Sequence, residues 1–574
     1  MSLYSLSRTQ SHQIIIVLSS IKFLKLEIHF NKDRSTMKKS TLGIITFAII
    51  FAVLLIWGMP FYDAVWSFPG NFNFFKEFPT STLPLGSIPI MIIALVGTGI
   101  FATIRLGFPQ IKYLWHGLKV TRGIYDDPSD EGDLSHFRAL TTALSATVGI
   151  GNIAGVATAI YYGGPGAIFW MWITAFFGTT LKYAESTLAL KYRNIHDDGS
   201  TAGGPMYTIE NGMGRKWRWL AVAFAAFAII CSFATGNAIQ AFTVSDQIYS
   251  EMTQLVGSGH FLTLKHMVWT GFELSVQQVL NGLVLAAIVG AVIIGGIKRI
   301  GKFTGFLAPI MALIYVFFAG LILLSHIPQI SASFGLIFKM AFNPPAEIAG
   351  VGGGAFLVFL NTMLWGIKRG LYSNEAGQGS AAIAHSTAKT KYPVREGAVA
   401  MMGPFIDTII ICTLTGLVIL TTDAWHHTEF YVNRINPEFA GDLLNSSLLT
   451  SFAFKTGLEW LLPFGDKIIT LSVLLFAVST AISWSFYGDR STDYLFGQKA
   501  IIWYRWAFVG FVFLGAIAEL EAIWAFGDAA LGFMTFPNLF AIIMLSGVLL
   551  KMQKTYFSKK QLTWEEQKRE NRTR

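Results

Sequence analysis

Charge is scarce in this sequence. Of 574 residues only 13% are Asp, Glu, Lys or Arg, while 53% are hydrophobic; in an ordinary soluble domain roughly a quarter of residues are charged. So small a supply excludes water as the main solvent of the folded chain. Cysteine is nearly absent as well: Cys231 and Cys412 both sit inside apolar runs. Neither belongs to a CxxC or Cys/His pattern, so a disulfide framework or a zinc site is not expected. Metalloprotease, nucleophile-elbow and phosphate-loop motifs are missing, and the apolar runs hold no clustered His/Asp set, which leaves an enzyme reading without a catalytic group. A repeated filter sequence or a ring of like charges, the usual marks of a channel, is not evident either.

What the sequence does have is length without polarity. Apolar runs long enough to cross a hydrocarbon core of about 30 Å recur between residues 43 and 551. Beyond a first run over Leu42 to Trp57, spans are predicted near 87–107, 137–161, 164–192, 218–247, 275–297, 301–325, 350–372, 395–421, 464–488, 501–519 and 525–551. The predicted fold class is therefore an all-α integral membrane protein with about 11–12 transmembrane helices. The formal charge of +9 could suggest nucleic acid, but its cations lie mostly in short connections between spans and read as topology, so no nucleic-acid partner is expected. Connections holding Arg105, Lys112, Lys119, Arg122 and Arg138, then Lys191, Arg193, Arg215 and Lys216, then Lys298, Arg299 and Lys302, then Lys389, Lys391 and Arg395, then Arg490 and Lys499, alternate with connections poor in cations. By the positive-inside bias the rich set, with the basic tail from Lys551, is cytoplasmic. The polar connection 426–462 is then external and is either a lid or a plain loop.

The apolar runs are interrupted in two places. Ser145-Ala146-Thr147-Val148-Gly149-Ile150-Gly151-Asn152-Ile153-Ala154-Gly155 puts three glycines and several polar side chains at membrane depth. Glycine weakens a helix, and unwound backbone in hydrocarbon costs several kcal/mol per unsatisfied group unless it lines a polar cavity. The competing reading is a small-residue face for close helix packing. A second interruption is predicted over Asn361 to Gly370, continuing into Ser373-Asn374-Glu375-Ala376-Gly377-Gln378-Gly379-Ser380, where a helix could restart. Each opens a block of five spans, the pointer to an inverted-repeat secondary transporter with its site near the midplane. The blocks fall at 137–326 and 350–551. Around them are a peripheral helix and cytoplasmic loop (87–136), a signal-anchor-like helix with an external loop (37–86), a basic cytoplasmic tail (552–574) and an N-terminal extension (1–36). N–H groups at a half-helix start can hold a carboxylate, and freed carbonyls a small cation.

These strings, with Gly163-Gly164-Pro165-Gly166-Ala167, Gly203-Gly204-Pro205-Met206-Tyr207, Trp365-Gly366-Ile367-Lys368-Arg369-Gly370 and Asn374-Glu375-Ala376-Gly377, resemble the alanine or glycine:cation symporter family over residues 88 to 551. The resemblance implies a five-plus-five inverted-repeat fold with two broken helices, like the bacterial leucine transporter. It also implies alanine or glycine as substrate, sodium or a proton as coupling ion with no other cofactor, and a place in the bacterial cytoplasmic membrane. By the same resemblance, backbone groups of Thr147, Gly149 and Gly151 lie near the substrate carboxylate, joined by Asn152. Carbonyls of Ser145 and Val148, with Ala477, Ser479 and Thr480, surround a sodium ion. For the two hydroxyls the competing reading is back-bonding to their own helix.

Other polar residues in the spans admit two readings each. Trp365, beside Gly366 and near Thr362, either walls the substrate pocket or packs. Gln240 and its neighbour Asn237 either meet the substrate or bond between helices. Asp407 is an intramembrane carboxylate, paired with Lys368 or Arg369 or serving a coupling ion. Glu375 either pairs with Arg369 or belongs to an inner gate, and Lys182 and Glu185, three apart, neutralise each other. At the other end of the chain, Met37-Lys38-Lys39 followed by an apolar run has the layout of a bacterial signal sequence or signal anchor. Translation is expected to begin at Met37, so mass spectrometry of the purified protein should find Met37 at its N-terminus; a peptide from residues 1–36 would overturn this.

Overall fold

The computed structural model describes residues 71–73, 87–269, 272–344, 355–426, 447–517 and 521–573. The expected extension 1–36, the start at Met37, the run 42–57 and residues 427–446 of the long connection lie outside them. A peripheral helix, Ile90–Leu106 (α1), precedes the first broken helix, His136–Thr147 (α2), a π turn at Gly151–Gly155 and Val156–Gly163 (α3). Ala167–Lys191 (α4) follows directly. Gly164 at φ 75° turns the chain there, a left-handed backbone that glycine adopts without strain. Arg218–Phe233 (α5), a π turn at Ala234–Ala238, Ile239–Val256 (α6), Val276–Ile293 (α7) and Gly296–Ser325 (α8) complete a first block of five spans.

Ile327–Phe342 (α9) connects to the second block, which opens with Ala355–Asn374 (α10) and Ser380–His385 (α11). Its next span runs through Pro393–Ala400 (α12), a π turn at Phe405–Cys412 and Thr413–Thr421 (α13). Ser447–Leu458 (α14) leads into Gly465–Phe496 (α15), Ile501–Ile517 (α16) and Glu521–Met544 (α17). The chain then bends by 59° into Ser546–Phe557 (α18), and Trp564–Thr573 (α19) closes the tail. Three antiparallel strand pairs, Asn71–Asn73 with Ser87–Pro89, Asn194–Ile195 with Thr201–Ala202 and Lys265–Trp269 with Phe272–Ser275, dress the loops. The two blocks of five, each opened by a broken helix, match the sequence expectation. Helices α9 and α14, which it missed, are too short and too mixed to announce themselves as spans.

Burial separates an inner set of helices from an outer one. Helices α2, α3 and α15 and the second half of α4 are buried along most of their length. On α7 and α8, by contrast, Leu283, Val284, Phe306, Leu313, Phe317 and Leu324 are each more than half exposed. Side chains so apolar and so exposed, on helices apolar all round, fit hydrocarbon and not water.

The second interruption does not fall at residues 361–370: α10 runs unbroken through them to Asn374. Gly366 and Gly370 instead face α4, where a Cβ on Gly366 would strike Ala167 and Trp170 and one on Gly370 would strike Thr174. They form a small-xxx-small packing face. The break comes later, over Glu375 to Gly379, where Glu375, Gly377 and Gly379 have φ 51°, 81° and 83°. Gly366→Leu should therefore destabilise the fold by about 1–3 kcal/mol through overpacking, while Gly320→Leu, with nothing within 4 Å of its Cβ position, should be neutral. Thermal unfolding of the two variants in detergent checks this.

Candidate functional site

At the first break, α2 loses its helical course at Val148, where ψ is 95°, and the two halves meet at 54°. The first N–H of the loosened backbone is taken up by one side chain. Asn152, fully buried, accepts the Gly149 N–H on Oδ1 at 2.8 Å. Its amide nitrogen donates to Asp407 Oδ1 at 2.7 Å and to the Asp407 carbonyl at 3.1 Å. Carbonyls of the following π turn are taken up by hydroxyls from other helices: Thr415 donates to Asn152 at 2.8 Å and Thr450 to Ile153 at 3.1 Å.

Asp407 lies in a π turn of its own. Its Oδ2 accepts from Ser373 at 2.7 Å and from Thr408 at 2.8 Å. Of the two expectations for it, the ion pair with Lys368 or Arg369 is not formed among the described residues, and the neutral donors Asn152, Ser373 and Thr408 leave the coupling-ion reading open. Those cations stand over the Trp365 ring, Lys368 at 5.5 Å and Arg369 at 5.4 Å. Cys412, which carried no sequence signal, touches the same group, 3.3 Å from the Asn152 nitrogen and 3.2 Å from Ser373 Oγ.

A second cluster joins α2 to α15. The Ser145 hydroxyl donates to the Ser479 carbonyl at 3.1 Å and also meets Ser479 Oγ, and Thr480 Oγ1 donates to the Ser145 carbonyl at 3.2 Å. Gly149 has no side chain because a Cβ there would lie 2.9 Å from Thr480 Oγ1. Ser145, Ser479 and Thr480 are thus brought together beside the break. Val148 is at the break itself, and Ala477 sits one turn away on the uninterrupted α15. Thr147 directs its hydroxyl back to the carbonyls of Ala143 and Leu144, at 3.3 and 3.4 Å. Gly151 packs against the end of α10, with Ser373 Cα 3.3 Å from its Cβ position. Across the bundle, Gln240 follows the π turn of α5–α6; its amide nitrogen donates to the Thr235 carbonyl at 3.1 Å, and its buried Oε1 accepts no hydrogen bond from the described residues.

The other three predicted pocket residues lie along α10. Along α10, at about 1.5 Å per residue, Trp365 is about 15 Å from the second break. It stacks on Tyr162 with ring centroids 4.5 Å apart, and Gly163 at the end of α3 abuts both Trp365 and Thr362. Thr362, Trp365 and Gly366 therefore lie midway along α10, beside the end of α3 and the start of α4. An unbroken α10 is the reason.

At the second break Glu375 is not paired with Arg369. Its left-handed φ, rare for a residue with a Cβ, is held by Ser380, which donates at 2.6 Å, and by the Trp484 indole N–H at 3.2 Å. Glu185 supports the same break, accepting from the Gly379 N–H at 3.2 Å and from Asn538 at 2.8 Å, with Lys182 Nζ 3.6 Å away as expected. At the opposite ends of α2 and α11, Glu396 binds the Nδ1 atoms of His136 and His385, the latter at 2.5 Å. All three side chains are at most 1% exposed. This clamp ties the first residue of α2 and the last of α11 to α12, and its members are too far apart in sequence to be read as a group.

Two interrupted helices side by side in an apolar bundle, with buried oxygens converging where they unwind, are the construction of a secondary transporter. The chain belongs to the sodium:alanine symporter family, whose model matches residues 75–571. It is 44% identical over 473 residues to the sodium/alanine symporter AgcS of Methanococcus maripaludis, covering 82% of this chain and 94% of that one. An uncharacterised transporter of Haemophilus influenzae is 40% identical, with 82% and 93% covered. A probable sodium/glutamine symporter of Bacillus subtilis, GlnT, is 32% identical, with 82% and 88% covered.

Replacing Asn152 with Ala would strip the Gly149 N–H and the Asp407 carboxylate of one partner each. Hydrogen bonds to charged groups are worth about 1.5–3 kcal/mol, so Asn152→Ala should lower solute uptake about ten- to hundredfold while leaving the protein inserted. Uptake into vesicles normalised to inserted protein measures this; a rate within twofold of wild type would remove Asn152 from the site.

Proposed function

We propose that this chain imports a small neutral amino acid, alanine or glycine, across the bacterial cytoplasmic membrane by symport with sodium. The observation that carries the reading is the junction at Asn152, where the unwound backbone of one broken helix, the end of the other and a buried carboxylate meet. Main-chain groups of Thr147, Gly149 and Gly151 face the substrate carboxylate, which competes with Asn152 for the Gly149 N–H. The unpartnered Gln240 Oε1 accepts from the substrate ammonium. Oxygens of Ser145, Val148, Ala477, Ser479 and Thr480 hold the sodium ion, since hard oxygen donors suit a small hard cation.

Asp407 supplies a negative charge at this junction and stabilises whichever cation drives transport; as a carboxylate it is also where a proton would bind. Glu375 and the contacts it makes to α11 and α15 belong to the inner gate, and Arg369 with Trp365 belongs to the outer mouth. Cation-rich connections, among them the tail, face the cytoplasm. Binding on the outer side, closure, rocking of one bundle against the other and inward release complete the cycle.

Purified protein in liposomes should accumulate labelled alanine or glycine when a sodium gradient is imposed. A proton gradient and labelled glutamine form the comparison arms. Thr480→Ala should raise the half-saturating sodium concentration several-fold. Uptake that ignores both gradients would overturn symport, and an unchanged sodium dependence in Thr480→Ala would overturn the ion assignment.

A further inference from the structure

The C-terminal helices border an open cavity that the transport site does not use. It has a volume of about 1070 Å³ and lies between the end of α4, the segment leading into α12, helix α18 and the start of α19. Seven of its lining residues are Lys or Arg, against a single acid, Glu131. Four of the seven have partners within the protein. Arg193 donates to the Ser386, Ala388 and Glu131 carbonyls, Lys391 pairs with Asp127 and Asp130, Arg395 donates to Tyr556 and the Tyr125 carbonyl, and Lys560 meets Glu566. Lys191 ends α4, Lys551 lies on α18 and Lys559 in the connection that follows it, and none of the three has a carboxylate within ion-pair distance among the described residues. Cations crowded into one concavity repel each other, and low-dielectric walls focus their field on whatever enters.

The remaining walls say what kind of anion fits. Leu190, Val394, Val548 and Met552 give the cavity an apolar side continuous with the ends of α4 and α18, and α18 leaves the last span at 59°. The cavity therefore sits where spans end, at the level of lipid headgroups on the cytoplasmic face. Basic pockets between helices on that face suit phosphate-bearing groups.

The geometry points to a binding site for a phosphate-bearing anion, held by Lys191, Lys551 and Lys559, with the headgroup of an anionic phospholipid as the occupant that also uses the apolar wall. The inference rests on the membrane orientation proposed above but not on what the protein transports. The site has a route to the transport machinery. Arg193, in its wall, holds the carbonyls of Ser386 and Ala388 directly after α11, and Arg395 adjoins Glu396 in the clamp on α2 and α11. Filling the cavity steadies the cytoplasmic ends of both broken helices.

The test is retention and stabilisation of the full-length purified protein. Wild type, Lys191→Gln/Lys551→Gln/Lys559→Gln and the matching triple Lys→Arg variant are delipidated and given phosphatidylglycerol, phosphatidylcholine or inorganic phosphate. Bound lipid is counted by native mass spectrometry, and the melting temperature is read in parallel. Wild type should retain phosphatidylglycerol at least tenfold over phosphatidylcholine; the Gln variant should lose that preference to within twofold, and the Arg variant should recover it. A rise in melting temperature with inorganic phosphate alone, absent in the Gln variant, supports the anion site with a free phosphate as its source. Equal retention of the two lipids by wild type with no response to phosphate overturns the proposal, and so does a preference that survives in the Gln triple. A Gln triple that does not fold is replaced by the three single variants, each expected to lose part of the preference; singles that all match wild type overturn it too.

Discussion

Inside a bilayer a helix cannot unwind unless something else takes the hydrogen bonds it gives up, because hydrocarbon offers no replacement and each orphaned group costs several kcal/mol. The side chain of Asn152 meets that requirement at the first break. Its oxygen takes the N–H that Gly149 no longer gives to the helix, and its nitrogen spans to Asp407 on the next block. The hydroxyls of Thr415 and Thr450 take carbonyls of the adjoining π turn. Remove this set and the break has no reason to stay polar or open.

The same economy explains the second break. There the backbone turns through three left-handed residues, one of them glutamate, and every turn has a side chain assigned to it: Ser380 and Trp484 on Glu375, Glu185 on Gly379, Asn538 on the Gly377 carbonyl. Charges buried this deeply persist in membrane proteins when they are paired or hydrogen-bonded and used. Asp407, Glu375, the Lys182–Glu185 pair and the His136–Glu396–His385 clamp run from the junction of the breaks to the ends of α2 and α11. Conformational change in either half-helix has to work against these contacts, so the groups that stabilise the breaks also set how the half-helices move.

Legibility followed residue type. Glycines and an asparagine in mid-span placed the first break correctly, since few other roles demand them together. Gly366 and Gly370 misled for the same reason: close packing on α4 and an unwound turn ask for the same residue, and only the neighbouring Ala167, Trp170 and Thr174 tell them apart. Asp407 was visible as a buried acid, but its partners were not, because Asn152 is 255 residues away in sequence. Cys412, a small apolar-looking residue in an apolar run, gave no signal at all.

The sequence by itself determined the solvent, the spans, the two-block order and the first broken helix, because those follow from hydropathy over some 20 residues and from the local cost of glycine in a helix. Only the tertiary structure decided where the second helix breaks, which donors hold each buried carboxylate, and which cations are left over to line the cavity beside α18. Those outcomes depend on which side chains approach across helix interfaces, and a one-dimensional pattern does not record that distance.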